Sequence, residues 1–255
     1  MTRGWMPEQR AVGRTGPAGP ALLAVAHGSP DPRAESVLEV LIARVRAERP
    51  GLTAMVAHLG HTAPDVPSAL RTLVTQGFSE IVVVPLLLTS AYHARIDLPA
   101  ILDAARFEHA GVSIVQAGVL GPHPLLFSLV RRRLVEAGAD ASTSVVLGAI
   151  GTSDARANAE LADVAATIGA SIGFAAGAPH VDEVVDEVRA RGVAQVAVAS
   201  YVLAPGVLPD RFAATSADIV TRPLGAESEI VDIVLERYEA ALKEDRHRVS
   251  PETAR

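Results

Sequence analysis

The sequence predicts an α/β protein made of two tandem domains, each a parallel sheet flanked by helices. Three observations predict it. Apolar runs of strand length alternate with longer helical stretches four times between residues 21 and 137, the pattern of a parallel sheet covered on both faces. The pattern then recurs in the second half of the chain. Finally, 49% of the 255 residues are hydrophobic but only 4% aromatic, so the core is one of small aliphatic side chains packed between helices and sheet.

The first apolar run, Leu22-Leu23-Ala24-Val25-Ala26, leads straight into His27-Gly28-Ser29. A continuous run bounded by turn residues reads as a buried parallel strand, here over 21–27. A helix is expected over 33–49, ended by Pro50-Gly51. Strand 2 follows over 53–59. Helix 2 covers 65–76, with Gly77 as its C-cap. Strand 3 covers 80–88, and Pro85 within it predicts a bulge or an early end to its pairing. Helix 3 is expected over 98–109, capped by Asp97 with Pro99 in its first turn. Strand 4 covers 112–117 and helix 4 covers 124–137.

A shift of 123 lays residues 22–34 over 145–157, so that Gly28 falls on Gly151 and Ser29 on Thr152. A shift of 115 lays Pro64 on Pro179, Gly77 on Gly192 and 81–88 on 196–203. A shift of 104 lays Leu120-Gly121 on Leu224-Gly225. Ungapped blocks in one order mark an internal repeat, and a period above 100 residues is too long for a solenoid. The expected division is a disordered tail over 1–19, domains over 20–140 and 141–245, and a second tail over 246–255, with fraying from about Glu244.

Net charge is −6 and cysteine is absent. The acidic balance argues against a nucleic-acid binder. Disulfides and thiolate metal sites are excluded, so a metal would be held by N or O ligands. No apolar run reaches a membrane span, and residues 1–20 lack the apolar stretch of a signal peptide. A cytoplasmic protein, monomer or homodimer, with no membrane partner is expected.

The second copy shows what the first has kept. Ile150 replaces His27. Ala204-Pro205-Gly206-Val207-Leu208 replaces Thr89-Ser90-Ala91-Tyr92-His93. Both histidines became aliphatic while the surrounding turns persisted, which points to a site present in one half alone. Strands 1 and 3 of a parallel sheet end at one edge, where ligands of open α/β sheets bind. Two neutral imidazoles there suit Fe²⁺, Co²⁺, Ni²⁺ or Zn²⁺, or act as bases near neutral pH.

The blocks Ala26-His27-Gly28-Ser29, 84–93 ending in Tyr92-His93, and Leu120-Gly121-Pro122-His123-Pro124 resemble the sirohydrochlorin chelatases. The two-repeat form with a degenerate second half is similar to bacterial members of that family. The resemblance implies the chelatase fold, two α/β domains facing each other across a cleft. It also implies insertion of Co²⁺ or Fe²⁺ into sirohydrochlorin in cobalamin or siroheme biosynthesis. The metal is then a substrate beside the tetrapyrrole, and no organic cofactor is implied. The family's two metal-binding, catalytic histidines fall on His27 and His93. One departure stands out: the family's acidic residue after strand 2 falls on Gly60, which leaves His61 as a third ligand. The same departure supports an alternative, a non-catalytic metal or tetrapyrrole carrier of the same fold.

Further roles follow from position. Gly28 lets backbone approach the ring closely. Ser29 offers a hydroxyl at the start of helix 1, or caps it. Ser90 and Tyr92, which precede His93 in the same block, are candidates for binding the substrate. Arg33, Arg95 and His123 are candidates for the substrate's carboxylates, His123 because it opens a helix. His58 reads as a core or sheet-face residue. A two-lobed small-molecule binder and a nucleotide-binding enzyme are weaker alternatives: Gly13-Arg14-Thr15-Gly16 lacks the Lys-Ser/Thr ending of a phosphate loop.

Overall fold

The computed structural model describes residues 17, 19–90 and 92–249. Most of the tail expected over 1–19, and residues 250–255 of the second tail, lie outside them.

Two four-stranded parallel sheets carry the fold. In the first, β2 (Ala54–His58), β1 (Ala21–Ala26), β3 (Glu80–Pro85) and β4 (Ser113–Gln116) lie in that order. In the second the order is β6 (Ser171–Phe174), β5 (Ser144–Ala149), β7 (Val196–Ser200) and β8 (Ile219–Val220). The shift of 123 carries β1 onto β5 end to end. Helices α1 (Pro32–Glu48), α2 (Val66–Thr75), α3 (Leu98–Glu108) and α4 (Pro124–Glu136) belong to the first run of elements. Helices α5 (Ala155–Thr167), α6 (Val181–Ala190) and α7 (Ser228–Val249) belong to the second. Helix α7 is continuous through Val249, past the point where fraying is expected at Glu244.

β1 is buried along its whole length, as its unbroken apolar run predicts. Leu22, Ala24 and Ala26 face one cluster while Ala21, Leu23 and Val25 face another. A fully buried Leu or Val contributes roughly 1.5–3 kcal/mol, so this strand anchors both layers. β3 ends at Pro85, short of the expected 88, and its pairing with β1 closes with the Leu86 N–H donating to the Val25 carbonyl at 2.8 Å.

Helices α2 and α3 cover the outer face of the first sheet, with Leu70, Leu73, Leu98 and Leu102 in one cluster. Helix α6 covers the outer face of the second. The inner faces share a single cluster containing residues of α1, α4, α5 and α7 and of both sheets, from Leu22 and Val82 to Leu147 and Ala199. Within it the closing helices are exchanged. Helix α4 lies against β7 of the second sheet, and α7 lies against β3 and β4 of the first. Among the described residues no helix is long and apolar enough to cross a membrane.

Candidate functional site: histidines at an interlobe cavity

β1 is a central strand, so its carboxyl end delivers His27 to the middle of the sheet edge. The chain must turn at once. Gly28 makes that turn at φ +90, and a Cβ there would lie 1.7 Å from the Gly60 carbonyl oxygen. The absent side chain therefore makes room for backbone of the β2–α2 loop, whereas the sequence assigned that room to a ring. Gly151 repeats the arrangement in the second half at φ +83, facing the Ala176 carbonyl at 2.2 Å.

The β1–α1 and β2–α2 loops are stitched together. The Gly60 N–H donates to the His27 carbonyl at 3.1 Å. The Ser29 N–H donates to Thr62 Oγ1 at 3.3 Å, and the Thr62 hydroxyl donates to the Ser29 carbonyl at 2.9 Å. This brings His61 beside His27. Their ring centroids are 6.1 Å apart with the planes at 66°. Imidazoles sharing one ion at about 2.1 Å each have centroids about 4.5–6.5 Å apart. His61 is the single described non-glycine residue with positive φ, 65°, a conformation His tolerates better than bulky residues do.

Two cavities meet at this pair. The larger, about 680 Å³, runs between the halves and is of the size of cofactor and small-molecule sites, about 300–1,000 Å³. His27, His58, His61 and Glu35 line it from the first half. Ile150, Tyr201, Leu203, Val207 and Leu208 line it from the second. The smaller, about 500 Å³, is lined by His27, His61, Gly60 and Asp97 among others.

The remaining residues singled out in the sequence divide. His93 opens a π-helical turn, His93–Asp97, that leads into α3; the last residue of that turn lines the smaller cavity with His27 and His61. This turn corrects the expected cap: Asp97 is in helical conformation and makes no capping hydrogen bond, because the helical path starts before it. Ser29 lines the larger cavity, and its Oγ accepts from the Asp31 N–H at 3.1 Å. It does not cap α1. Asp31 does, accepting from the Arg33 N–H, and hydrogen bonding to Arg33 holds its carboxyl below the ordinary range. Arg33 reaches Asp210 of the second half at 2.6 Å, and Arg95 pairs with Asp154. Tyr92 is exposed and lines neither cavity, nor does Ser90. His123 also lines neither. It caps α4 through Nδ1, which accepts from the Leu125 N–H, while Nε2 lies 3.2 Å from Glu236. Among the described residues no group of three or more His, Asp or Glu forms a ready metal cage.

The sequence reading missed two residues. His58 is buried, 1% exposed, as expected of a core residue, yet it also lines the larger cavity. Glu35, in the first turn of α1, faces it there with Oε2 3.2 Å from His58 Nε2. The available signal was His58 ending an apolar strand, as His27 does.

Fold and site together define a two-lobed α/β protein with histidines from one lobe facing an apolar wall from the other. A family model described as CbiX matches residues 21–137 and again 144–241, and the chain belongs to that family. The sirohydrochlorin cobaltochelatase of Priestia megaterium is 27% identical over 205 residues, 75% of this chain and 66% of that protein, so the chain spans slightly less than two thirds of its length. The sirohydrochlorin ferrochelatase of the same organism is 24% identical over 198 residues, 74% of each protein. The structure of SirB from Bacillus subtilis with Fe³⁺ is similar in fold, with a TM-score of 0.78 at 22% identity over 90% of this chain and 98% of that one.

Proposed function

We propose that this protein inserts a divalent metal ion, Co²⁺ or Fe²⁺, into sirohydrochlorin. The observation that carries the proposal is the His27–His61 pair, 6.1 Å between centroids, at the junction of the two cavities. The relatives named for cobalt and for iron insertion support the reaction class. In this reading the ion is a substrate, held by His27, His93 and His61 through unprotonated ring nitrogens, so activity falls as those rings protonate. A site of few imidazoles suits delivery. A closed cage retains its ion, whereas open coordination positions let pyrrole nitrogens take over.

The tetrapyrrole occupies the larger cavity. Its apolar face meets Ile150, Leu203, Val207 and Leu208, which line the cavity from the second half. The sequence division at 140/141 then separates a metal-holding half from a ring-facing half. Arg33 and Arg95, at the lobe boundary, meet the ring's carboxylates after leaving Asp210 and Asp154.

The test is metallation of sirohydrochlorin followed in the visible spectrum. His27→Ala and His93→Ala are expected to fold normally and to lose activity by more than about tenfold; wild-type rates in either remove that residue from the site. Gly60, which offers no carboxylate after β2, favours a second reading, a carrier. Stoichiometric binding of ring and ion by the wild type without metallation would establish it in place of the enzyme.

A further inference from the structure

Metal insertion exchanges two pyrrolic N–H protons for one divalent ion, so the cavity must contain a proton acceptor beside the groups that hold the ion. The titratable side chains lining the larger cavity are His27, Glu35, His58, His61 and Tyr201. His27 and His61 belong to the metal pair, and Tyr201 is held neutral, its pKa raised by burial. Glu35 is the one carboxylate among the described residues that line this cavity.

Its setting differs from that of an ordinary first-turn glutamate, which complements the helix dipole from solvent. Glu35 is half-buried and turned inward over the carboxyl end of β2, with Oε2 3.2 Å from Nε2 of His58. His58 is 1% exposed, and neither of its ring nitrogens makes an aligned hydrogen bond to a described residue. A buried imidazole at 3.2 Å, whose nitrogens have no better partner, is the neighbour that can hold Glu35 over the end of β2. Glu35 lines the cavity, and the partial exposure of its side chain gives a way out to solvent.

We infer that Glu35 is the base of the metallation reaction and that His58 is its positioning residue. The inference rests on the proposed chelatase reading and fills the place left by Gly60 with a carboxylate from a different element. Each pyrrolic N–H bond breaks with its electron pair staying on nitrogen, which becomes the metal's donor. The proton goes to a Glu35 carboxylate oxygen and from there to water. The cycle runs twice per ion, so the two released protons balance the two charges brought in by the metal.

The experiment uses the full chain with Co²⁺ and sirohydrochlorin. Glu35→Gln is expected to lower kcat about 10²-fold while leaving Co²⁺ affinity and the KM for the ring within about twofold. Glu35→Ala is expected to regain rate when formate is added, a response a purely structural glutamate would not give. His58→Gln, which keeps an N–H donor, is expected to retain rate that His58→Leu loses. Near-wild-type kcat in Glu35→Gln, or no formate response in a folded Glu35→Ala, overturns the assignment while leaving the chelatase reading intact. A wild type that does not metallate the ring overturns both.

Discussion

Gly28→Ala tests whether the site depends on the stitching of two loops. The added Cβ would sit 1.7 Å from the Gly60 carbonyl oxygen, where real contacts stay above 3.0 Å, so the loops must part by about 1.3 Å. The Gly60 N–H to His27 carbonyl bond starts at 3.1 Å and does not survive that movement. A left-handed backbone with a side chain costs about 1–2 kcal/mol, and the lost hydrogen bond about 1 kcal/mol more. Destabilisation of about 2–3 kcal/mol corresponds to a Tm lower by roughly 4–12 °C for a chain of this size. His61 moves with Gly60, and metal–ligand distances tolerate only about ±0.2 Å, so Co²⁺ affinity is expected to fall at least about tenfold. The control is Gly151→Ala. Its Cβ would meet the Ala176 carbonyl at 2.2 Å in the half that has Ile150 and Leu208 at the positions of His27 and His93. A comparable loss of Tm with unchanged Co²⁺ affinity is expected there. Thermal melts and isothermal titration with Co²⁺ measure both quantities. Wild-type Co²⁺ affinity in Gly28→Ala, or equal affinity losses in the two variants, refutes the reasoning.

Two further outcomes follow from the charged groups. Glu136 accepts from Arg222, Arg133 and Arg132, and these bonds hold its carboxyl down at about 2. Because the folded value lies below the unfolded one, this stabilisation is complete above the ordinary carboxylate range and is lost as pH falls towards about 2. Urea melts of Glu136→Gln are expected to show a flatter acid limb between those limits, and a slope equal to wild type would contradict the assignment. At the lobe boundary, Asp210→Asn leaves Arg33 with Asp31 as its remaining carboxylate partner and removes a pair that is about half exposed on both sides. Affinity for the polycarboxylate ring is expected to rise about threefold at low salt and to return to the wild-type value once the charges are screened; unchanged or weaker low-salt binding argues against Arg33 as a carboxylate contact.

Much of the fold was legible because it is written in local pattern. The unbroken apolar run of β1 announces burial on both faces, Pro85 announces the end of β3, and the repeat offsets land on β5 and on Val181, the first residue of α6. Asp97 misled because Asp-Leu-Pro has the composition of a helix start, although the chain is already helical at that point. The exchange of α4 and α7 had no local signature: an amphipathic helix fits either sheet, and long-range packing decides which. The site divides in the same way. His27 is readable as the residue after a buried strand. Glu35 is not, because its meaning comes from the rotation of the first turn of α1 over the end of β2, a relation between elements 23 residues apart.

The duplication makes sense only with its asymmetry. In the proposed reading, a scaffold whose two sheet edges face one cavity would, with both copies intact, present two sets of imidazoles to each other and offer no dry surface to the flat face of a ring whose carboxylates lie at its rim. Replacing histidine by Ile150 and by Leu208 converts one edge into that surface while the turn geometry at Gly151 keeps its path. The exchanged helices then fix the distance between the two edges. Because α4 and α7 each belong by sequence to one half and pack on the sheet of the other, the inner core cannot be divided without exposing residues of both. The histidine edge and the apolar wall thus rest on one shared core.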